Sequence, residues 1–248
     1  MEEKKVKVAV KDLTKSFGEL LVLDDISFNV YNGEFLCIVG PTGCGKTTFL
    51  NSMTKIYDIN KGSIKVDGKD IDPRKHNLAY IFQEYSTMEW LNIQENVEFG
   101  LKAKNFPPDR LKERSDYVIK MVGLDKYRNY YPSQLSASML QRVVIARAFA
   151  IQPDLLLMDE PYGQLDLTLK YKLEDELLKM WEEIKTTVLF ITHNIEEAVY
   201  LSDRILVLTN KPTHIKEEII NDLPRPRKVT DPEFVALRNK VTDLIKWW

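Results

Sequence analysis

Residues 40 to 48, GPTGCGKTT, follow the apolar run EFLCIVG and open a helix-like stretch. In that setting the spacing G-x-x-x-x-G-K-[ST] offers one chemistry, the cradling of linked phosphates. Gly40, Gly43 and Gly45 let the backbone turn its N–H groups onto phosphate oxygens, Lys46 reaches the β and γ phosphates, and Thr47 offers a hydroxyl to Mg²⁺. The candidate loop thus comprises Gly40, Pro41, Thr42, Gly43, Cys44, Gly45, Lys46, Thr47 and Thr48. A second group with chemical potential is LLLMDE, 155 to 160. An apolar strand ending in two carboxylates sets both at the carboxyl edge of a sheet, where α/β folds hold ligands. Asp159 is placed to hold Mg²⁺ through its water shell, and Glu160 to polarise an attacking water. Gln83, after AYIF, and His193, after LFIT, stand at comparable edges and can turn polar groups toward the same phosphates.

The stretch LSASMLQR, 135 to 142, reads as the first turn of a helix with two serines and an alanine at its start. Such a terminus presents unpaired N–H groups and the positive end of a macrodipole, so small residues there suit a phosphate. Ser138 followed by Gln141 also reads as a capping box, which explains the serine without any ligand. On these eight residues alone the capping box is the favoured reading.

Positioning such groups takes alternating strands and helices, and the chain supplies them. EFLCIVG (34–40), NLAYIF (77–82), DLLLMDE (154–160), TVLFIT (187–192) and RILVLT (204–209) are short and almost wholly apolar, as strands covered on both faces must be. Ahead of them VKVAVKDL and VLDDISFNV alternate polar with apolar, which predicts an antiparallel sheet exposed on one side. Between 84 and 152 the apolar spacing is helical, predicting an all-helical insertion in an α/β core with a mostly parallel sheet. DLPRPRK (222–228) reads as a proline-punctuated link to an amphipathic helix ending in Trp247 and Trp248, to which no chemistry is assigned. The predicted division is therefore 1–221 for the catalytic domain and 222–248 for link and helix.

The 248 residues carry 35 basic and 37 acidic side chains, a net charge of −2, with 44% hydrophobic and 29% charged residues. That is the composition of a globular chain, and it lacks the basic excess of a duplex-binding protein. MEEKKVKVAV has no apolar stretch for a secretory signal, and no window approaches the ~18 apolar residues of a membrane helix. A cytoplasmic chain that does not span a membrane is expected. Cys37 and Cys44 are too few for a disulfide framework or, with three scattered histidines, a four-ligand zinc site, and read as reduced thiols. NKPT (210–213) has the Asn-Lys of a guanine motif without the aspartate that reads the base, which sets a GTPase aside.

In their order, Gly40 to Thr48, Gln83, Leu135 to Arg142, Leu155 to Glu160, GQLD (163–166) and His193 resemble the nucleotide-binding subunit of an ATP-binding cassette (ABC) transporter. The resemblance covers nearly the whole chain and implies a P-loop NTPase core with an N-terminal antiparallel β subdomain and an inserted helical subdomain. It implies ATP and Mg²⁺ as the bound groups. By it Phe17 matches the aromatic residue that stacks on adenine, Gln83 the sensor of Mg²⁺ and attacking water, Asp166 the dimer-contacting loop, and His193 the switch on the γ-phosphate. Ser136, Ala137 and Ser138 match the segment that binds the γ-phosphate of ATP held by a second subunit. Here the usual two glycines are Ala137 and Ser138, and the usual glutamine is Leu140.

IFQEYSTMEWLNIQENVEFGL, LPRPR and DPEFVALRNKV are similar to the ATPase subunits of nitrate, sulfonate and taurine importers. That likeness implies a membrane permease as partner, with a solute-binding protein acting indirectly. It also implies a place on the inner face of the membrane, and Trp90 as either a docking residue or a core residue of the helical subdomain. Glu89 stands where a proline is usual. Since Glu160, Gln83 and His193 are all present, a homodimer is favoured over a mixed pair. The competing reading is a soluble ABC ATPase acting on nucleic acid, ribosomes or cluster assembly, which the single cassette without a basic arm disfavours.

Overall fold

The computed structural model describes residues 5–163 and 165–245. The chain begins with strands β1 (Val6–Phe17), β2 (Leu20–Tyr31) and β3 (Phe35–Val39), helix α1 (Lys46–Met53), and strands β4 (Lys61–Val66) and β5 (Lys69–Asp70). Next come β6 (Leu78–Ile81), α2 (Ile93–Ala103), α3 (Pro108–Met121), α4 (Ala137–Ala150), β7 (Leu155–Asp159) and α5 (Leu167–Ile184). The last stretch holds β8 (Thr187–Thr192), α6 (Ile195–Leu201), β9 (Arg204–Leu208), β10 (Ile215–Ile220) and α7 (Pro232–Ile245). Two compact units result, one formed by residues up to His76 together with those from Thr187 onward, the other by Asn77–Thr186.

In the first unit β1 and β2 form a hairpin that turns at Gly18 and pairs Phe17 with Leu20. β4 adds antiparallel to β1 and β5 to β4. The parallel part is built on β3, which lies between β8 and β9 with Val39 opposite Thr192 on one side and Val207 on the other. β3, β8 and β9 are buried at every residue, which is why their sequences are unbroken apolar runs. β10 closes this sheet antiparallel to β9, with three consecutive charged residues, Lys216 to Glu218, set between isoleucines.

The proline-punctuated link is fastened in this unit. The buried Arg227 guanidinium donates to the carbonyls of Val199, Tyr200 and Ser202, which end α6, and Arg225 pairs with Asp203 at 2.6 Å. Burial and the neighbouring Arg225 push the Arg227 pKa down to about 10, so it stays charged at neutral pH and serves as a fixed cap on carbonyls that α6 leaves without helical partners. Trp247 and Trp248 lie outside the described residues.

In the second unit β6 and β7 pair in parallel, Ile81 opposite Met158, and no strand occurs between them. α2 starts at a capping box, in which Asn92 Oδ1 accepts from Glu95 N and Glu95 Oε2 accepts from Asn92 N, both at 2.9 Å. α4 buries most of its length, in keeping with an apolar sequence that has no hydrophilic face. No described helix is long and apolar enough to cross a membrane.

Candidate functional site

The phosphate loop leaves the carboxyl end of β3 and runs into α1. Gly43 has φ +80° and Gly45 φ +111°, conformations that a Cβ disfavours. At Gly45 a Cβ would also come within 2.8 Å of Val22 Cγ1, so the turn is closed to any larger residue. α1 begins at Gly45 with no side chain on its first-turn N–H groups, whereas Asn92, Asp166 and Asn194 cap α2, α5 and α6. The positive end of α1 is thus left to the loop. Lys46, 5% exposed, folds back so that Nζ donates to the carbonyls of Gly40 (2.9 Å) and Pro41 (3.1 Å). Those bonds hold the loop as an arch around the ammonium. Thr47, one residue on, is exposed and carries a hydroxyl; Thr48 is half-buried.

The underside of the arch is tied to a distant segment. The buried Thr213 hydroxyl donates to the Cys44 carbonyl, its N–H to the Val22 carbonyl at 2.9 Å, and its own carbonyl accepts from Asp24 N at 3.0 Å. In the sequence Thr213 stands only as the last residue of NKPT, and nothing in that stretch points to its tie to Cys44. Cys44 is buried and its thiol pKa is raised by burial; Cys37 is likewise buried, and both are free thiols.

His193 leaves β8 at the same edge from which the phosphate loop leaves β3, since Val39 and Thr192 are direct partners in the parallel pair. Its turn is built by neighbours: Thr192 Oγ1 donates to Glu197 Oε2 at 2.5 Å and accepts from Asn194 N at 2.9 Å, and Asn194 caps α6. The exposed His193 side chain is therefore carried on a braced turn. Phe17, in the same unit, is 42% exposed.

In the second unit Gln83 and the pair Asp159–Glu160 follow the adjacent ends of β6 and β7. Asp159 is 2% exposed, and the Tyr80 hydroxyl donates to its Oδ2 at 3.4 Å. Glu160 takes φ +45°, a left-handed conformation costing a non-glycine residue on the order of 1 kcal/mol or more. The strand thus ends in a backbone reversal at the carboxylate itself. Asp166 caps α5 through Leu169 N (3.0 Å) and is exposed; Gln164 of GQLD is outside the described residues.

The opening of α4 corrects one expectation. Ser136, not Ser138, is the cap: its Oγ accepts from Met139 N at 3.4 Å. The third helical position is then Met139, which has no acceptor to return, so no capping box forms, and Gln141 is buried. Ser138 Oγ lies 3.1 Å from Ser136 Oγ, and the exposed Ala137 separates them. The core reading of Trp90 also fails, since its side chain is 75% exposed.

Among the described residues, no three or more His, Cys, Asp or Glu side chains converge as a metal site. The donors read as magnesium ligands are the Thr47 hydroxyl, the Gln83 amide oxygen and the Asp159 carboxylate. These are hard oxygen donors, few in number, and they fit an ion that keeps most of its waters and shares the rest of its shell with substrate phosphates.

The family model for ABC transporters matches residues 23–163. An uncharacterized ABC transporter ATP-binding protein of Methanocaldococcus jannaschii is 44% identical over 246 residues, 98% of this chain and 92% of that relative. An aliphatic sulfonates import ATP-binding protein of Bacillus thuringiensis subsp. konkukian is 38% identical over 94% of each chain. Among solved structures, a dimeric bacterial ABC transporter cassette superposes with a TM-score of 0.76 at 30% identity, covering 88% of this chain and all of that one. The same figures hold for a cassette dimer in a post-hydrolysis state bound to ADP and Pi.

Proposed function

The chain belongs to the ABC transporter family and is an ATPase cassette, and from that premise we propose that it powers an importer for a small solute of the nitrate, sulfonate or taurine kind. The observation that carries the ATP chemistry is the phosphate loop, an arch with left-handed glycines leading into an uncapped helix, with Lys46 at its centre. The importer reading rests on likeness along nearly the whole chain to sulfonate import proteins.

In this reading Gly40 to Thr48 and Lys46 hold the triphosphate, and Phe17 stacks on the base. Thr47, Gln83 and Asp159 hold Mg²⁺, which when bound supplies charge neutralisation on the phosphates. Glu160 orients the attacking water and takes its proton, while Gln83 senses the metal and His193 the γ-phosphate. The helical stretch 84–152 and its exposed Trp90 meet a membrane permease, which holds the cassette on the inner face of the membrane and is served by a solute-binding protein. Deleting the gene should abolish uptake of isotope-labelled sulfonate, taurine or nitrate, and the wild-type chain, but not Lys46→Ala, should restore it. Undiminished uptake of all three would remove the proposed solute class.

Two copies close on two ATP molecules, each copy lending Ser136, Ala137 and Ser138 to its partner's ATP. Binding drives closure because ATP contacts both copies only in the closed dimer. Ser136 retains a hydroxyl, and the α4 terminus retains its N–H groups, so the two residues in place of glycine limit only how closely the backbone approaches. Ser136→Arg should abolish turnover by the purified chain, whereas Ala137→Gly with Ser138→Gly should preserve or raise it. A wild-type chain inactive alone and rescued only by a second cassette with the two glycines would replace the homodimer by an asymmetric pair.

A further inference from the structure

Phe17 ends β1, and its ring is held by two side chains outside every motif read from the sequence. The Lys15 ammonium lies 4.6 Å above the ring centroid. The Tyr57 ring stands nearly perpendicular to it, centroids 5.2 Å apart, and 5.9 Å from the same ammonium. With those three separations Tyr57 stands beside the Phe17 ring rather than beneath it. Lys15 therefore lies over one face and Tyr57 beside the rim, and Phe17 keeps 42% of its surface exposed.

The backbone around the ring is pinned as well. Lys15 Nζ donates to the Asp58 carbonyl at 2.6 Å, Ser16 N to Asn60 Oδ1 at 2.8 Å, and Asn60 N to the Thr14 carbonyl at 2.9 Å. Residues 57–60 lie a few residues beyond the end of α1 at Met53, and Ile56 N and Tyr57 N both donate to the Asn51 carbonyl of that helix. The ring is thus referenced to the helix whose other end is the phosphate loop.

We infer that Tyr57 and Lys15 are positioning residues for the nucleotide base, fixing the Phe17 ring at a set distance and tilt from the phosphate loop so that a purine stacks on the face away from Lys15. The inference rests on the reading of Phe17 as the stacking residue. A perpendicular neighbour keeps the ring from rotating away, and a cation on the far face draws π density from the ring, which favours stacking with an electron-rich purine. A ligand without a base gains nothing from this arrangement, and that separates a positioning role from a merely structural one.

The test compares ATP with inorganic tripolyphosphate by calorimetric titration of the purified chain. Tyr57→Ala should weaken ATP about three- to tenfold, the range of an aromatic pair, and leave tripolyphosphate unchanged. Lys15→Met should weaken ATP about two- to fivefold, again without effect on tripolyphosphate. Tyr57→Phe, which keeps the ring, should bind ATP like the parent, and in turnover assays Tyr57→Ala should raise KM with kcat unchanged. Equal weakening of both ligands by Tyr57→Ala, or a loss in Phe17→Ala with none in Tyr57→Ala, overturns the inference. Parent-like ATP binding by Phe17→Ala overturns the stacking reading beneath it.

Discussion

Glu160→Gln is expected to slow ATP turnover by about a hundredfold or more while leaving ATP binding intact, the scale of a lost general base. Glutamine has the same shape and reach, so the backbone reversal at φ +45° and the end of β7 are undisturbed. What it lacks is the ability to take a proton from water. With binding retained and hydrolysis stalled, the closed state should accumulate, so gel filtration with ATP and Mg²⁺ should shift the variant from monomer to dimer. Turnover at the wild-type rate would deprive Glu160 of its role, and a slow variant that stays monomeric with ATP would separate hydrolysis from closure.

Lys46→Ala is expected to weaken ATP by about tenfold to a hundredfold, the range for hydrogen bonds to a charged group. Two losses combine. The phosphates lose their cationic partner, and the carbonyls of Gly40 and Pro41 lose the donor around which the loop arches. Lys46→Arg should recover little, because a planar guanidinium does not fit an arch shaped to a compact ammonium. Titration with ATP measures both variants, and circular dichroism shows whether the fold is kept. Unchanged ATP affinity in Lys46→Ala would sink the phosphate-loop assignment.

What the sequence made legible follows from burial. β3, β8 and β9 are covered on both faces, so their strand character is written as consecutive apolar residues, and the polar groups after them mark the sheet edge. β4, KGSIKV, and β10, IKEEII, went unread because each shows one face to water and carries charges that mimic a loop. At α4 the sequence offered two serines in reach of the same role, and only the backbone dihedral of Ser136, extended rather than helical, decides which one caps. Lys15, Tyr57 and Thr213 left no signal at all. Tyr57 and Thr213 act by tertiary contact, Thr213 across 169 positions, and a single sequence carries no periodicity for such a meeting, while Lys15, two residues before Phe17 on β1, reads as one more charge on an exposed strand.

The arrangement of β3 between β8 and β9 also governs how the protein comes into being. Phe35 meets Val188 only after about 150 further residues have been made, an interval of ~10–30 s at ordinary rates of translation. Through that time the nascent chain carries a five-residue apolar strand with both edges unpaired, while the uninterrupted stretch 77–186 can gather its own contacts. The base of the phosphate loop is therefore completed late in synthesis, when β8 and β9 flank β3 and Thr213 ties to the Cys44 carbonyl. A chain ending before Thr187 lacks both strands that flank β3 and the Thr213 tie beneath the loop.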